Sequence, residues 1–504
     1  MARTAPPLAS RNTRSIADLT RSGAIAFWLG FALAALFFYP LASSLADNAF
    51  YLQWQARDLR ETALAGVVLA VIFGAAIYYT WARITPRSNA GLALVAALPL
   101  ASLLAGVLQQ LPFDTALIRA WDHPALRFGL PIGLAAATVV LFARWPALFG
   151  AWLRGGLLVV SFAGLVPTRV LVVSAWGVPV PTEIERPTAN RNGAACRSIV
   201  ALLFDELSFP YLYDGMTIRP EFAALRRLAS SATQYLRMTA PGGETLLSMP
   251  GYLAARPLHD VRVERDGFME LDAENHPTPF DARAADGLFA TARRAGLRTE
   301  MAGYYLPYCA WLGDLVDACE SYSFYNVAGT SAAFSPLHPI ETTLILWPRQ
   351  FPFGLVKNPP FARLQRDLVA RTLAFAERPI DPQTPTFRFV HFSVPHLPFV
   401  FDEHGFNPPF DPLRSEPDDL YARQIRYVDR LLDTVVTRMQ NDGSFDRTTL
   451  VVFSDHGFRF GGRDYDPRHI PFIVKEAGQT TARREEEPYQ AAELLPSLVT
   501  ASCK

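Results

Sequence analysis

Two pairs of polar residues directly follow apolar runs and have the chemistry of metal ligands. Asp205 and Glu206 come after the run Ser198–Phe204, and Asp455 and His456 begin where the run Thr448–Ser454 ends. Carboxylate oxygens and imidazole nitrogens are good ligands for zinc and manganese, and adjacent buried carboxylates are costly unless a positive charge meets them. The alternatives are a helix N-cap for the first pair and a chance Asp-His neighbour pair for the second. We predict a divalent metal site at these positions.

Histidines occur in two further segments of the second half of the chain. His391 and His396 lie in the segment HFSVPH, and His469 lies in RHIPF, thirteen residues after His456. These four are nearly half of the nine histidines in the chain, which ordinary core packing explains poorly. Imidazole groups bind metals and also donate hydrogen bonds to anionic groups. We therefore include His391, His396 and His469 in the predicted site.

A hydroxyl nucleophile is predicted in the segment TAPGGETLLSMPGYLAAR, at residues 239–256. Thr245 follows two glycines closely, and Ser248 begins the sequence Ser-Met-Pro. A hydroxyl group is a weak nucleophile at neutral pH until a base or a metal lowers its pKa. The alternative is that Thr245 caps a helix N-terminus, which is compatible with catalysis because such termini also attract anions. Thr245 is the predicted nucleophile, and Ser248 is the second candidate.

Alternating strands and helices are predicted to position these residues. Buried parallel strands are predicted at Ser198–Phe204, 387–394 and Thr448–Ser454, because each is a short and continuous apolar run. Helices are predicted at 418–439 and 286–295 from their apolar spacing and end signals. The pattern favours a mostly parallel sheet covered on both faces, in which sites gather at the carboxyl ends of the strands. Each predicted strand ends in candidate site residues.

The N-terminal third of the chain is strongly apolar and is predicted to cross a membrane. Hydrophobic residues make up 50% of the 504 residues, and the excess is concentrated between residues 23 and 177. Most of the apolar runs reach the roughly 20 residues that cross a bilayer. A cleavable signal peptide is a poor explanation of the first span, since that span is long and others follow it. Five spans are predicted, at residues 23–45, 62–81, 90–108, 128–143 and 155–175.

The distribution of arginine predicts the orientation of these spans. The N-terminal tail and the loops after the second and fourth spans hold eight arginines, whereas the two alternate loops hold four. The positive-inside rule therefore places the N-terminus on the cytoplasmic side of a bacterial inner membrane. Five spans then place the second half of the chain in the periplasm. The predicted organisation is a cytoplasmic tail (1–22), a transmembrane domain (23–176), a linker (177–197) and a periplasmic catalytic domain (198–504).

Composition excludes several other classes of protein. The formal net charge is +0, from 47 basic and 47 acidic residues, so no basic field suggests nucleic acid binding. The predicted spans hold almost no ionisable residues, which argues against a transporter or a proton relay. None of the four cysteines forms a CxxC pair, so a thiolate zinc site is not expected. Cys309 and Cys319 form a disulfide or remain two thiols; the spacing does not decide between these.

Together these segments resemble the sulfatase-like branch of the alkaline phosphatase superfamily. Within that branch the chain is similar to membrane-anchored phosphoethanolamine transferases and lipoteichoic acid synthases, which combine five spans with an extracytoplasmic catalytic domain. The motif matches cover roughly residues 198–475, and the architecture covers the whole chain. The resemblance implies an N-terminal five-helix transmembrane bundle followed by an α/β alkaline-phosphatase-like domain with a mostly parallel sheet.

The resemblance also implies roles for the candidate residues. The metal ligands that it implies are Asp205, Glu206, Thr245, Asp455 and His456. The histidines that it places against the transferred group are His391, His396 and His469, with a second metal as the alternative for His396. In the phosphoethanolamine transferases the nucleophile register falls on Gly243, and the Cys/Ser-x-Pro-Ser-Arg signature of true sulfatases is only partly present here. Thr245 is therefore the expected nucleophile, and Ser248 remains the alternative.

The function implied is a metal-dependent transfer of a phospho-headgroup, of the phosphoethanolamine or phosphoglycerol type, through a phosphothreonine. The expected donor is a membrane phospholipid, the expected acceptor is an envelope glycan or lipid, and the expected metal is zinc or manganese. The second hypothesis is a membrane-bound hydrolase, either a phosphodiesterase or a sulfatase, with water as the acceptor. A formylglycine sulfatase is disfavoured because no cysteine occupies the required motif. The third hypothesis, from another class, is a non-catalytic membrane scaffold.

Overall fold

The computed structural model divides the chain into two compact units. It describes residues 16–83 except 53 and 55, 162–174 except 163, 181–187, 196–323 except 265, 266, 280, 282, 283 and 285, and then 334–347, 359–408, 417–459 and 466–503. The first unit, here the N-terminal unit, comprises residues 1–47, 55–176 and 331–357. The second unit, here the sheet unit, comprises residues 48–54, 177–330 and 358–504. The predicted catalytic domain is therefore interrupted by a segment of the N-terminal unit.

Helices and strands alternate through the described part of the sheet unit. The helices of the chain are α1 (Ile16–Phe37), α2 (Tyr39–Leu52), α3 (Ala56–Arg83), α4 (Leu165–Ser174), α5 (Phe209–Leu212), α6 (Ala223–Ala229), α7 (Thr245–Ala254), α8 (Leu288–Arg294), α9 (Tyr308–Leu312), α10 (Leu337–Leu346), α11 (Pro359–Ala376), α12 (Pro417–Asn441) and α13 (Ala491–Ala501). The strands are β1 (Glu183–Glu185), β2 (Ser198–Phe204), β3 (Tyr213–Asp214), β4 (Thr217–Ile218), β5 (Thr233–Thr239), β6 (Asp260–Glu264), β7 (Gly267–Leu271), β8 (Pro277–Pro279), β9 (Arg298–Tyr304), β10 (Ala318–Tyr322), β11 (Thr386–Phe392), β12 (Phe401–Asp402), β13 (Gly405–Phe406), β14 (Thr448–Ser454), β15 (His469–Ile470), β16 (Phe472–Lys475) and β17 (Arg483–Gln490). Short 3₁₀ turns at Gly313–Leu315 and Phe445–Arg447 complete the described elements.

Membrane-spanning helices are supported for the first two of the five predicted spans. Within the described residues, one helix segment, Ala56–Tyr79 in α3, is long and apolar enough to cross a bilayer, with a mean hydropathy of 2.0. A second candidate is the pair Gly23–Phe37 and Tyr39–Ala46, which bends by 50° at its break. The third and fourth predicted spans lie outside the described residues, and the fifth is described only around α4. The five-helix bundle stays a prediction.

Small residues let α1 and α3 pack closely in the N-terminal unit. A Cβ atom on Gly30 would lie 2.3 Å from the carbonyl oxygen of Ala70 and 2.5 Å from the amide nitrogen of Gly74. A Cβ atom on Gly74 would in turn lie 3.1 Å from the carbonyl oxygen of Ala26. Close backbone contact between small residues is how helices associate in lipid, where no hydrophobic effect drives them together. The small residues therefore allow the backbones of α1 and α3 to come into close contact.

A buried glutamate binds the α10 segment within the N-terminal unit. Glu61 on α3 is 1% exposed, and its Oε1 accepts hydrogen bonds from Arg57 Nε at 3.1 Å and from the Ser335 backbone N–H at 3.1 Å. Its Oε2 lies 3.3 Å from Nδ1 of His338. At the far end of α10, Trp347 Nε1–H donates to the Phe37 carbonyl at 2.9 Å. Each carboxylate oxygen of Glu61 thus has a protein partner.

The sheet unit is built on a mixed, mostly parallel sheet of ten strands. Its strands follow the order β1-β10-β9-β11-β2-β14-β16-β5-β15, with β17 paired to β5. The five central strands, from β10 to β14, are mutually parallel, which confirms the predicted arrangement in the middle of the sheet. The pairs that involve β1, β15 and β16 are antiparallel. Every residue of β2, β11 and β14 is buried, as expected for central parallel strands.

The predicted elements agree closely with the observed ones in this unit. The strands at Ser198–Phe204 and Thr448–Ser454 match the predicted bounds, and the predicted strand 387–394 is observed as β11. The predicted helix 418–439 is observed as α12, with Ile425, Val428 and Leu432 buried on its inner face. These segments were predictable because the strands are short continuous apolar runs and the helix has a regular apolar spacing.

Two disulfides and an edge strand stabilise the sheet unit. Cys309 is bonded to Cys319, which confirms the first of the two alternatives for this pair. Cys196 is bonded to Cys503, which the sequence analysis did not predict. Residues 183–185, inside the predicted linker, form β1 and pair with β10, so this part of the linker joins the sheet. Cys196, just before β2, and Cys503, near the C-terminus, therefore lie next to each other.

Candidate functional site

The central strands bring the two predicted acidic segments to one edge of the sheet. β2 and β14 are parallel neighbours in a register that places Phe204 opposite Ser454. Asp205 and Asp455 each follow these residues directly, so both lie where the two strands end. The Glu206 backbone N–H donates to Asp455 Oδ1 at 3.0 Å, which holds the two turns together. The sheet thus gathers residues 250 positions apart in the sequence.

Three of these residues form a buried cluster. Asp205, Asp455 and His456 offer ligand atoms that all lie within 4.8 Å of one another. Asp455 and His456 are 0% exposed and Asp205 is 5% exposed. His456 Nε2 lies 3.4 Å from Asp455 Oδ2 and 3.8 Å from Asp205 Oδ1. One metal ion could be bound by all three side chains at this spacing.

The hydroxyl of Thr245 lies inside this cluster. It donates to Asp455 Oδ2 at 2.7 Å, and it also lies 3.2 Å from His456 Nε2 and 3.4 Å from Asp205 Oδ1. Thr245 is the first residue of α7, and the N-cap position belongs to Glu244. The alternative that Thr245 itself caps the helix is therefore wrong. Its side chain is free of the capping role and is directed at the acidic cluster instead.

The electrostatics of the cluster indicate that its charge is not balanced by the protein. Burial raises the pKa of Asp205 well above its usual value, and the nearby charges of Asp455 and Glu206 raise it further. Burial also acts to raise the pKa of Asp455, but His456, His391 and hydrogen bonds to the carboxylate outweigh it and lower the value. Two buried carboxylates at this distance repel each other unless a cation lies between them. The arrangement favours a bound cation.

The donor set of the cluster fits a divalent metal such as zinc or manganese. His456 Nδ1–H donates to the Gly457 carbonyl at 2.8 Å, so the lone pair of Nε2 faces the two carboxylates. This is how metal-bound histidines are usually oriented, with the second nitrogen bonded to an acceptor. A metal ion can replace a proton at this nitrogen, since metal ligands bind in their deprotonated form. Asp205, Asp455, His456 and Thr245 would hold the metal, and carboxylate and imidazole ligands suit both zinc and manganese.

Glu206 differs from its predicted role as a metal ligand. Its carboxylate lies beside Arg459, with Oε1 3.2 Å from Nε, while Oε2 is buried and accepts no hydrogen bond from the described residues. Its backbone has a left-handed conformation with φ of 65°, which turns the chain sharply after Asp205. Arg459 also reaches Glu244 at 3.3 Å. Glu206 therefore lies beside the cluster but is not one of the three gathered ligands.

The three remaining histidines lie in different surroundings. His391 on β11 is fully buried, and the charge of Asp455 acts on its pKa, so it lies close to the cluster. His396 is half-buried; its backbone N–H donates to the Asp205 carbonyl at 3.1 Å, and its Nδ1–H donates to Leu397. His469 stacks on Phe209 at 4.1 Å. Its Nε2–H donates to the Leu236 carbonyl at 2.9 Å, so the ring is held by β5 and not by the metal cluster.

Ser248, the second candidate nucleophile, lies one helical turn after Thr245. Its side chain is 0% exposed, and its hydroxyl has no hydrogen-bond partner among the described residues. No carboxylate or histidine of the cluster contacts it, whereas the Thr245 hydroxyl has three such neighbours. The geometry therefore favours Thr245 over Ser248.

Tyr308 and Arg459 belong to the site but were not predicted. Arg459 lies three residues after His456, so its position in the sequence is a signal that could have identified it. Tyr308 hydrogen-bonds His391, with 2.6 Å between its hydroxyl and Nδ1. Tyr308 carries no local sequence signal, because it is brought to the site by α9, which follows the neighbouring strand β9.

Comparisons with known proteins identify relatives of the sheet unit. A family model described as Sulfatase matches residues 197–502, which is more than half of the chain. No curated protein matches the chain in sequence. The solved phosphonate monoester hydrolase of Agrobacterium radiobacter is 14% identical with a TM-score of 0.39, covering 61% of this chain and 73% of that chain. The lipoteichoic acid synthase LtaP from Listeria monocytogenes is 11% identical with a TM-score of 0.41, covering 62% of this chain and 73% of that chain. Both TM-scores are low, so the sequence match carries the assignment.

Proposed function

Because the chain belongs to the sulfatase family, whose members are enzymes of the alkaline phosphatase superfamily, we propose that it transfers a phospho-headgroup from a membrane phospholipid. The acceptor is a hydroxyl group on an envelope glycan or lipid. The observation that carries this proposal is the position of the Thr245 hydroxyl, 2.7 Å from Asp455 and 3.2 Å from His456 inside the buried acidic cluster. A threonine in this place supplies a nucleophile that needs no oxidative maturation, unlike a formylglycine.

Thr245 begins the first half of the reaction. Its Oγ attacks the phosphorus of a lipid phosphodiester, an Oγ–P bond forms, and the bond from phosphorus to the diacylglycerol oxygen breaks. The hydroxyl proton leaves along the hydrogen bond to Asp455 Oδ2. The N-terminus of α7 helps to hold the anionic group, since its first backbone N–H groups are not used within the helix. A bound metal would lower the pKa of the hydroxyl and neutralise charge on the phosphoryl oxygens.

His396 is the proposed proton donor to the diacylglycerol. It is held beside Asp205 by its backbone N–H, and it is half-buried, so it can exchange protons with water. Its Nδ1–H is bound to the Leu397 carbonyl, which leaves Nε2 to carry the transferred proton. In the second half-reaction the same nitrogen removes a proton from the acceptor hydroxyl, whose oxygen forms a bond to phosphorus as the Thr245 Oγ–P bond breaks. The proton held by Asp455 then returns to Oγ and regenerates the Thr245 hydroxyl.

The proposal includes a location at the outer face of the inner membrane. The disulfides Cys196–Cys503 and Cys309–Cys319 fit an oxidising compartment such as the periplasm. The apolar segment Ala56–Tyr79 supplies a membrane anchor, and the arginine asymmetry orients it. An anchored enzyme keeps its lipid donor at a high effective concentration. The multi-pass topology with five spans is part of this proposal.

Intact-protein mass spectrometry tests the proposed transfer directly. The full metal-loaded chain is incubated in vesicles of phosphatidylethanolamine and phosphatidylglycerol, and the mass of the protein is measured. An adduct of one phospho-headgroup is expected on wild type and on Ser248→Ala but not on Thr245→Ala. The adduct mass names the headgroup. An adduct that persists in Thr245→Ala, or its complete absence from folded and metal-loaded wild type, would contradict the proposal and favour direct hydrolysis.

A further inference from the structure

Tyr308 and His391 form a buried pair beside the metal cluster. Tyr308 is the first residue of α9, His391 is near the end of β11, and both are 0% exposed. The Tyr308 hydroxyl lies 2.6 Å from Nδ1 of His391. The other ring nitrogen, Nε2, is buried and has no hydrogen-bond partner among the described residues. The proposed mechanism above gives this nitrogen no role.

The hydrogen bond decides which nitrogen of His391 carries the proton. Burial lowers the pKa of His391 to about 4, so the ring is neutral at neutral pH and has a single N–H. Burial raises the pKa of the Tyr308 hydroxyl well above its usual value, and the charges of Asp455 and Asp205 add to this, so that hydroxyl keeps its proton. If Nδ1 carried the imidazole proton, the Tyr308 O–H would be buried without an acceptor in the described structure, which is costly. The hydroxyl therefore donates to Nδ1, and the imidazole proton is on Nε2.

His456 shows the opposite arrangement at the same site. Its Nδ1–H donates to the Gly457 carbonyl at 2.8 Å, which leaves a lone pair on Nε2 directed at the carboxylates. His391 has a hydroxyl donor at Nδ1 in place of a carbonyl acceptor, and this leaves a proton on Nε2. A nitrogen that carries a proton cannot be a metal ligand, whereas it can donate to an anionic oxygen. The two histidines are thereby prepared for different tasks.

We propose that Tyr308 is a positioning residue that holds His391 as the Nε2–H tautomer, and that His391 donates a hydrogen bond to a phosphoryl oxygen of the transferred group without binding the metal. This inference rests on the proposed phospho-transfer. A buried N–H whose partner arrives only with the substrate is a preorganised donor for developing negative charge. It acts without a change of protonation state.

Gly303 leaves room for the contact between Tyr308 and His391. β9 and β11 are parallel neighbours, and the register places Gly303 opposite His391. A Cβ atom on Gly303 would lie 2.7 Å from Cε2 of Tyr308 and 3.0 Å from Cβ of His391. Neither ring can move far, because both are packed in the core. The absence of a side chain at residue 303 therefore allows the tyrosine to lie against the histidine.

The backbone of α9 is fixed independently of the hydrogen bond. Cys309, the residue after Tyr308, is bonded to Cys319, and its backbone N–H donates to Ser321 Oγ at 2.9 Å. Loss of the Tyr308 hydroxyl should therefore leave the ring in place and remove only the hydrogen bond. Tyr308→Phe is accordingly a clean probe of the tautomer.

A double-mutant cycle in the full metal-loaded chain tests the inference. Turnover is measured with two probes, bis(p-nitrophenyl) phosphate and p-nitrophenyl sulfate, and bound metal is measured by mass spectrometry of the elements. His391→Gln keeps an N–H near the position of Nε2, whereas His391→Ala does not. We expect kcat to fall about 10²–10³-fold in His391→Ala, the usual cost of losing one such donor, and less in His391→Gln. Tyr308→Phe should reduce kcat about tenfold in wild type and have no further effect in His391→Gln, because an amide has no tautomer to set.

The metal content separates this inference from its main alternative. Wild-type metal content is expected in Tyr308→Phe, His391→Gln and His391→Ala. Loss of metal in His391→Gln with retention in His391→Glu would show that His391 is a ligand and would overturn the inference, as would an equal effect of Tyr308→Phe in both backgrounds. A failure of Thr245→Ala to abolish turnover overturns the proposed function instead. A chain that turns over neither probe also counts against the proposed function, and the metal content still decides whether His391 is a ligand.

Discussion

Two groups in this protein each combine two carboxylates with one histidine, but their surroundings differ. Asp205, Asp455 and His456 are buried, whereas Asp272, Glu274 and His276, around the turn between β7 and β8, are exposed. In both groups the possible ligand atoms lie within 4.8 Å of one another. Spacing alone would therefore identify both as metal sites. The two groups differ in how the negative charge of their carboxylates is compensated.

The exposed group needs no cation. Asp272 Oδ1 accepts the backbone N–H groups of His276 at 2.8 Å and Glu274 at 3.0 Å, and Oδ2 lies 3.2 Å from the His276 ring. The hydrogen bond from the His276 backbone is the main reason that the pKa of Asp272 is lowered. Water can solvate the remaining charge. The cluster is thus explained as a turn that is stabilised by its own side chains.

Burial alone is also insufficient as a sign of a metal site. Glu61 is as buried as Asp455, but it accepts hydrogen bonds from Arg57 and Ser335 and lies beside His338. Its charge is paired within the protein, so it has a structural role. In the cluster of Asp205, Asp455 and His456 the carboxylates face each other and one imidazole nitrogen. A buried charge that the protein leaves unbalanced is what distinguishes the functional site.

The largest expected effect is the loss of metal on substitution of Asp455. Asp455→Asn removes a buried carboxylate ligand and the acceptor of the Thr245 hydroxyl, so we expect metal affinity to fall at least about 10²-fold and turnover to fall further. Metal content by elemental mass spectrometry and turnover of bis(p-nitrophenyl) phosphate are the measurements. Asp455→Asn protein that keeps its metal and its activity would show that the cluster is not the metal site.

A second prediction concerns the stability of the metal-free protein. The pKa of Asp205 is raised in the folded state, so the folded protein binds its proton more tightly than the unfolded chain, and stability falls as pH rises from about 4 through the raised value. Asp205→Asn should therefore raise the melting temperature of the metal-free protein at pH 7 by at least about 2 °C, the shift that 1 kcal/mol produces in a domain of this size. At pH 4 the difference should shrink. An unchanged or lower melting temperature at pH 7 would mean that the charge is already balanced.

Removal of the Glu61 charge should weaken the structure around it, whereas removal of the Asp205 charge should stabilise the metal-free protein. Glu61→Gln removes a charge that Arg57 and His338 face, so we expect the contacts of residues 334–347 to weaken by about 1 kcal/mol. Hydrogen exchange at the Ser335 amide should accelerate about fivefold, as measured by mass spectrometry of the full chain in detergent. Unchanged exchange at this segment would show that the ion pairs there contribute nothing.

The smallest expected effect is at the exposed group. Asp272→Asn should change metal content and turnover by less than about twofold, and the melting temperature by about 1 °C or less, because surface substitutions of this kind have small effects. It is the matched control for Asp455→Asn, since both remove one aspartate from a cluster of two carboxylates and one histidine. Loss of metal in Asp272→Asn would refute the distinction between the two groups.

Much of the sheet unit was predictable from the sequence, and the reasons are local. β2 and β14 are continuous apolar runs and α12 has a helical apolar period, and Asp205, Asp455 and His456 follow strands whose parallel pairing brings them together. Thr245 could be identified because it closely follows two glycines in a segment that begins a helix. The positions of these residues were confirmed, whereas their catalytic roles stay predictions.

The features that were missed depend on contacts between distant segments. Tyr308 reaches His391 only because β9 and β11 are neighbours, and the pairing of Cys196 with Cys503 joins residues 307 positions apart. Glu206 was predicted as a ligand from its place beside Asp205, but its left-handed backbone directs the carboxylate towards Arg459. His469 was predicted to contact the transferred group, and its stacking on Phe209 was not predicted. Neither the backbone turn nor the ring contact has a signal in local composition.

The Cys196–Cys503 bond has a mechanical consequence for the sheet unit. A pull on the chain at Cys196 acts two residues before β2, the strand that carries Asp205 at its end. The bond divides that force between β2 and the C-terminal helix α13, and the hydrogen bond from the Arg197 N–H to the Ser502 carbonyl, at 2.9 Å, reinforces the junction. Tension at this point would therefore load two elements of the fold at once, and only part of it would reach Asp205 through β2.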